Sequence, residues 1–157
     1  MGIEIERKFL VDPEEWRQLS KPGGTYYKQG YIVNDAHRTV RVRIAGEQAY
    51  LTIKGITSGI SRKEYEYAIP VEDAVELLEN FAVSLIEKKR YCINFAGKLW
   101  EIDEFAGDNE GLIMAEIELE HEADEFEVPG WVTTEVTGDM RYYNSVLSQQ
   151  PFTSWNE

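Results

Sequence analysis

Segment after segment of this chain alternates with a period of two, and in almost every one of them one of the alternating sets is charged. Successive side chains of an extended strand point to opposite faces. Glu4, Glu6 and Lys8 therefore share a face, and Ile3, Ile5 and Phe9 share the other. Thr39, Arg41 and Arg43 oppose Val40, Val42 and Ile44, and Thr52 and Lys54 oppose Leu51 and Ile53. Arg62, Glu64 and Glu66 oppose Lys63, Tyr65 and Tyr67, while Lys88, Arg90 and Cys92 oppose Tyr91 and Ile93. Glu101 and Asp103 oppose Trp100 and Ile102, and Glu116, Glu118 and Glu120 oppose Ala115, Ile117 and Leu119.

The pattern predicts strands near residues 2–11, 26–34, 38–46, 48–55, 61–69, 84–95, 98–105 and 112–121. Gly, Pro, Asn and Asp cluster between them, as turns require. Helices fit at 13–20, opened by Asp12-Pro13, and at 71–80, where Val71, Val75, Leu78 and Phe81 form a stripe. A short turn is expected at 122–126, and a last helix after Asp139 as N-cap, with Tyr143, Val146 and Leu147 facing the body. No internal repeat or linker interrupts the chain, so its 157 residues read as one domain, 1–157.

Two architectures satisfy these faces. In one, an open sheet turns its charged face to water and its apolar face to the helices. In the other, the strands close into an eight-stranded antiparallel barrel with a charged lumen and the helices outside, an α+β fold. Charge runs are usually solvated, which favours the first. Sorting by sign favours the second. Arg41, Arg43 and Lys54 crowd two neighbouring strands, Lys88 and Arg90 another, and Glu116, Glu118 and Glu120 a third. Like charges so placed repel, and cations for the acids and a polyanion for the bases would relieve both groups.

A net charge of -13 and a pI near 4.6 argue against general binding of nucleic acid or anionic membrane. One cysteine, Cys92, excludes an internal disulfide, fits a reducing compartment, and reads as small packing in an apolar strand. No apolar run reaches the ~20 residues needed to span a bilayer. The first residues lack the layout of a signal peptide, so a cytoplasmic location is expected.

Clustered carboxylates without His or Cys are hard oxygen ligands that suit Mg²⁺, Mn²⁺ or Ca²⁺. His37 and His121 show no ligand spacing. Clustered Arg and Lys bind phosphoryl oxygens. Hard cations beside a basic cradle are the equipment of phosphoryl transfer, where positioning and charge neutralisation do most of the catalysis.

The blocks that carry these charges also resemble a known family. Glu4-Ile5-Glu6-Arg7-Lys8 is similar to the ExExK signature of the CYTH superfamily, the triphosphate tunnel metalloenzymes. The likeness continues through Gln29-Gly30-Tyr31, Arg41-Val42-Arg43, Thr52-Ile53-Lys54, Arg62 to Glu66, Glu87 to Tyr91, Asp103, Glu116-Ile117-Glu118 and Glu135 to Arg141. It implies a charged tunnel and metal-dependent hydrolysis of a triphosphate, with Mg²⁺ or Mn²⁺ as cofactor, in two ions. Glu4, Glu6, Glu116 and Glu118 would hold metal, with Asp103 and Glu64 or Glu66 near the second ion. Lys8, Arg41, Arg43, Lys54, Lys88 and Arg90 would grip the phosphates, Arg62 would join them or pair with Glu64, and Arg141 would touch a terminal phosphate. Tyr31 would position or deprotonate the attacking water, beside Lys88 and Arg90. Glu66 and Glu120 are the carboxylates most suited to pair with a base.

Inorganic tripolyphosphate, cleaved to diphosphate and phosphate, is the substrate this resemblance implies. The alternatives on the same fold are a thiamine triphosphatase and a class IV-type adenylate cyclase; one of another class is a non-catalytic polyphosphate or nucleotide-binding module. No purine-reading segment supports the cyclase, and anion binding alone gains nothing from Glu4 and Glu6. Tyr65, Tyr67, Trp100, Ile117 and Leu119 are expected as outer-face core, and excess outer apolar surface at Tyr65, Tyr67, Trp100 and Ile102 implies a homodimer.

Overall fold

Where a short Gly- or Asp-bearing turn separates two runs of β-branched and aromatic residues, the two pair as neighbours. A computed structural model of the chain describes residues 2–155. Its strands are β1 (Gly2–Val11), β2 (Thr25–Asn34), β3 (Arg38–Ala45), β4 (Gln48–Ser58), β5 (Ser61–Ile69), β6 (Ser84–Phe95), β7 (Lys98–Phe105), β8 (Ile113–Glu118) and β9 (Val132–Glu135). All pairs are antiparallel, in the order β5-β4-β3-β2-β6-β7-β8-β1-β9. A further pairing of β5 with β1 closes the first eight into a barrel, so the closed alternative is the one adopted.

The closing seam is short. Only Gly2 to Ile5 of β1 pair with β5, from Gly2 opposite Glu64 to Ile5 opposite Ser61. Farther along β1, β9 pairs with Phe9 and Val11. The sequence pattern missed β9, whose four residues are too few to show a period.

Outside the barrel, α1 (Pro13–Gln18) starts where the Asp12 side chain accepts from the backbone N–H of Glu14 and Glu15, with proline at its first position. Trp16 of α1 is buried against Trp131 and Tyr91, and Trp100 packs on Phe9, Phe126 and Trp131. On the opposite side lies α2 (Val71–Phe81). Its buried residues are Ala74 and Leu78, while Val75 and Phe81 of the expected stripe are exposed. Gly30 explains the seating, because a Cβ there would stand 2.7 Å from Leu78 Cδ2 and 2.9 Å from Ala82 Cβ. The helix rests on the one β2 residue without a side chain.

The tail also departs from expectation. Asp139 caps a 3₁₀ turn (Met140–Tyr142), and Tyr143 precedes a separate one-turn helix, α3 (Asn144–Leu147). Leu147 is buried as expected. Trp100, Ile102, Ile117 and Leu119 are buried, but Tyr65 and Tyr67 are exposed, as is Cys92. Those three side chains are not packing residues. Among the described residues, no helix is long and apolar enough to cross a membrane.

Candidate active site

Because the strands coil into a closed barrel, the charged set of each alternation points inward. The result is a cavity of about 320 Å³. Glu4, Glu6 and Lys8 of β1, Tyr31 of β2, Arg41 and Arg43 of β3, and Lys54 of β4 line it. So do Arg62, Glu64 and Glu66 of β5, Lys88 and Arg90 of β6, Glu101 of β7, and Glu116 and Glu118 of β8. Nearly every residue singled out in the sequence is brought together here.

Asp103 and Arg141 are not. Asp103 is 1% exposed and sits behind the lining, where Lys88 Nζ reaches Oδ2 at 2.7 Å and Arg90 Nε reaches Oδ1 at 2.7 Å. Arg90 Nη2 donates to Oδ2 as well, at 2.8 Å. Instead of facing a second ion, both its oxygens are committed to bases. Arg141 pairs with Asp139 at 2.8 Å and lies over the rings of Tyr142 and Trp155, at an exposed position outside the cavity lining.

The acids of the lining crowd where β1 meets β8, with Glu6 directly opposite Glu118 and Lys8 opposite Glu116. Burial, then the nearby Glu116 and Glu4, push the Glu6 carboxyl up to about 8 despite Lys8. Burial also raises Glu64 and Glu118, and neighbouring carboxylates add to it. Glu4 behaves differently. Burial works against its charge, but Lys54, whose Nζ is 3.0 Å from Oε1, holds it below the usual carboxylate range.

The bases crowd across the lumen. Burial, with Arg41 and Arg90 beside it, pushes Arg43 down to about 10. Burial, reinforced by Arg90 and Arg43, brings Lys88 down to about 7 although Asp103 pulls the other way. The Tyr27 ring stands between the guanidiniums of Arg43 and Arg90, 4.9 and 5.1 Å from its centroid. Of the two carboxylates expected to neutralise bases, Glu66 lies 3.6 Å from Arg41, while Glu120 is exposed and outside the cavity lining.

The buried donor Arg41 Nε on the lining lacks a hydrogen-bond partner, whereas Glu4 Oε1 is held only by its 3.0 Å ion pair with Lys54. Buried polar atoms rarely stay unpaired in a protein that holds nothing at that place. Among the described residues, no three carboxylates converge into a ready-made metal cage. The donor set nevertheless fits a hard cation, because it is all carboxylate oxygen and is mutually repulsive.

Sequence reasoning assigned no site role to Gln29, Tyr27, Tyr143 and Asn144. Gln29, fully buried, accepts from Arg43 Nε at 2.9 Å and donates to the Tyr31 hydroxyl at 3.3 Å. Its alternation with Tyr27 and Tyr31 was a usable signal. Asn144 accepts from Lys88 at 2.8 Å, and no periodicity marks a residue delivered by an irregular tail.

With this geometry in view, comparison with known proteins is direct. Residues 2–145 match the CYTH domain model. A protein of Acetivibrio thermocellus named inorganic triphosphatase is 50% identical over 158 residues, covering 100% of both chains. One of the same name from Nitrosomonas europaea is 35% identical over 153 residues, 92% of this chain and 96% of its own. A crystal structure described as an inorganic triphosphatase superposes with a TM-score of 0.64 at 33% identity, over 92% of this chain and 93% of that one. A domain match over residues 2–145, relatives at this identity and a closed barrel with a two-signed charged lumen agree: the chain belongs to the CYTH domain family.

Proposed function

We propose that this protein is a divalent-metal-dependent inorganic triphosphatase that cleaves tripolyphosphate to diphosphate and phosphate. The observation that carries the reading is the charged lumen, where crowding of acid on acid pushes Glu6 up to about 8 and crowding of base on base pushes Arg43 down to about 10. Both full-length relatives bear that activity in their names.

Lys8, Arg41, Arg43, Lys54, Arg62, Lys88 and Arg90 bind the phosphoryl oxygens. Glu4, Glu6, Glu116 and Glu118 would hold Mg²⁺ or Mn²⁺, and Glu64 would serve a second ion. When bound, the cations neutralise charge on the transferring phosphoryl group. Water attacks the terminal phosphorus, forming a P–O bond as the bridging P–O bond breaks; diphosphate leaves with the electron pair, one proton of the water stays on the phosphate formed and the other passes to solvent. Tyr31, whose hydroxyl is fixed by Gln29 at the cavity wall, orients that water. Lys88 and Arg90 are catalytic through the charge that develops on the leaving oxygens, and Asp103 positions both.

Phosphate release from tripolyphosphate, thiamine triphosphate and ATP, each with Mg²⁺, Mn²⁺ or chelator, tests the proposal. Rapid, chelator-sensitive turnover of tripolyphosphate alone is expected. Binding without turnover would refute it. The reading extends to a cytoplasmic homodimer joined through Ile3, Ile53, Tyr65 and Tyr67, which are exposed on the outer face, with Ile53 directly opposite Tyr65. Sedimentation at micromolar concentration checks the dimer.

A further inference from the structure

Gln29 stands directly opposite Arg43 in the β2–β3 pairing and shares a face of β2 with Tyr31. Gln29 Oε1 accepts from Arg43 Nε at 2.9 Å, while Gln29 Nε2 donates to the Tyr31 hydroxyl at 3.3 Å and to Asn144 Oδ1 at 3.5 Å. The two ends of an amide differ in what they can meet, and here both are dictated. A guanidinium only donates, so a turned Gln29 would set N–H against N–H at Arg43. Asn144 is fixed in the same way, because its Oδ1 also accepts from Lys88 Nζ at 2.8 Å and an ammonium accepts nothing. A turned Gln29 would therefore also set oxygen against oxygen at Asn144.

This orientation carries over to Tyr31. With Gln29 as the donor, the phenolic oxygen is the acceptor and its proton must go elsewhere. Among the described residues nothing accepts from the Tyr31 hydroxyl, although the side chain is buried. Buried polar groups seldom stay unpaired. Tyr31 lines the cavity, so the acceptor is to be sought in the lumen. Two cations thus set the polarity of one contact, Arg43 directly on Gln29 and Lys88 through Asn144.

We propose that Gln29 is a positioning residue that turns the Tyr31 hydroxyl proton into the lumen, where Tyr31 holds the attacking water by donating to it. The inference deepens the triphosphatase reading and rests on it for the identity of the acceptor. A water held this way keeps its second lone pair for phosphorus. Gln29→Glu preserves the shape and the acceptor for Arg43 but has no N–H, so the Tyr31 proton turns back to the introduced carboxylate. The added charge is the same with or without the Tyr31 hydroxyl, and a double-mutant cycle cancels it. Tyr31→Phe should lower kcat for tripolyphosphate about tenfold in wild type, with KM little changed, and less than about twofold in Gln29→Glu. Gln29→Met, uncharged and of similar length, should lose the same coupling and replaces Gln29→Glu if the latter fails to fold. Equal losses in both backgrounds, or no loss in wild type, overturn the proposal. A neutron structure of wild type in D₂O reads the same point without turnover. A deuteron on Gln29 Nε2 should point at the Tyr31 oxygen, and the Tyr31 deuteron into the cavity; a Tyr31 deuteron aimed at Gln29 overturns the proposal. If wild type cleaves no tripolyphosphate while the deuterons lie as described, the triphosphatase reading fails and the positioning of the hydroxyl stands.

Discussion

Two carboxylates buried in one barrel, Asp103 of β7 and Glu6 of β1, are driven in opposite directions. Asp103 is enclosed by Lys88 and Arg90, and although burial opposes its charge, those two bases hold it far below the usual range. Glu6 faces Glu116 and Glu4 and is pushed up to about 8. The first keeps its charge because its own fold pairs it with bases; the second takes up a proton because its neighbours are acids. A carboxyl group removed from bulk water is common to both, so the partner distinguishes a structural acid from a site for cations.

Breaking the neutralised region should have the largest effect. Asp103→Asn leaves Lys88 and Arg90 buried without their anion, and should cost about 3–5 kcal/mol of stability in urea unfolding. Glu6→Gln, by contrast, replaces a carboxyl already protonated below about pH 8 with a near-isostere. It should leave the melting temperature unchanged or raised while lowering kcat/KM about 100-fold. Arg43→Gln removes one of several crowded bases. It should lower kcat/KM about tenfold, mainly through KM, without loss of stability.

The comparison also predicts pH slopes of opposite sign in metal-free protein. The folded pKa of Glu6 lies above its unfolded value near 4.5, so the native state binds the extra proton. Its contribution is complete below 4.5 and is lost as pH rises through about 8. Asp103 is depressed, so its contribution is present above 3.8 and is lost as pH falls below it. Unfolding free energies measured across pH should show both limbs. Glu6→Gln should shrink the first limb, to which the raised Glu64 and Glu118 also contribute, and leave the second.

Much of this was legible before any coordinates. Arg41 and Arg43, or Glu116 and Glu118, sit two apart on one strand, and a period of two fixes their common face. Sign-sorting across strands then pointed to closure. Asp103 was misplaced because alternation assigns a face but not a partner, and its register opposite Arg90 exists only once β6 and β7 pair. The α2 stripe slipped because a 3.6-residue period does not know that Gly30 offers the landing place. Tyr143 and Asn144 reach the lumen from a 3₁₀ turn and a single helical turn, where no repeating spacing exists. Lys54 is also less like Arg43 than its sequence neighbourhood implies, because it is the counter-ion of Glu4.

Calorimetric titration of tripolyphosphate into metal-free wild-type and Arg43→Gln protein bears most directly on the crowded lumen. One chain should bind per barrel in wild type, weakened about tenfold in the variant, with proton uptake at pH 8 as the polyanion recharges Lys88. Absence of binding, or binding of equal strength in the variant without proton uptake, would show that the bases of this barrel are not waiting for a phosphate chain.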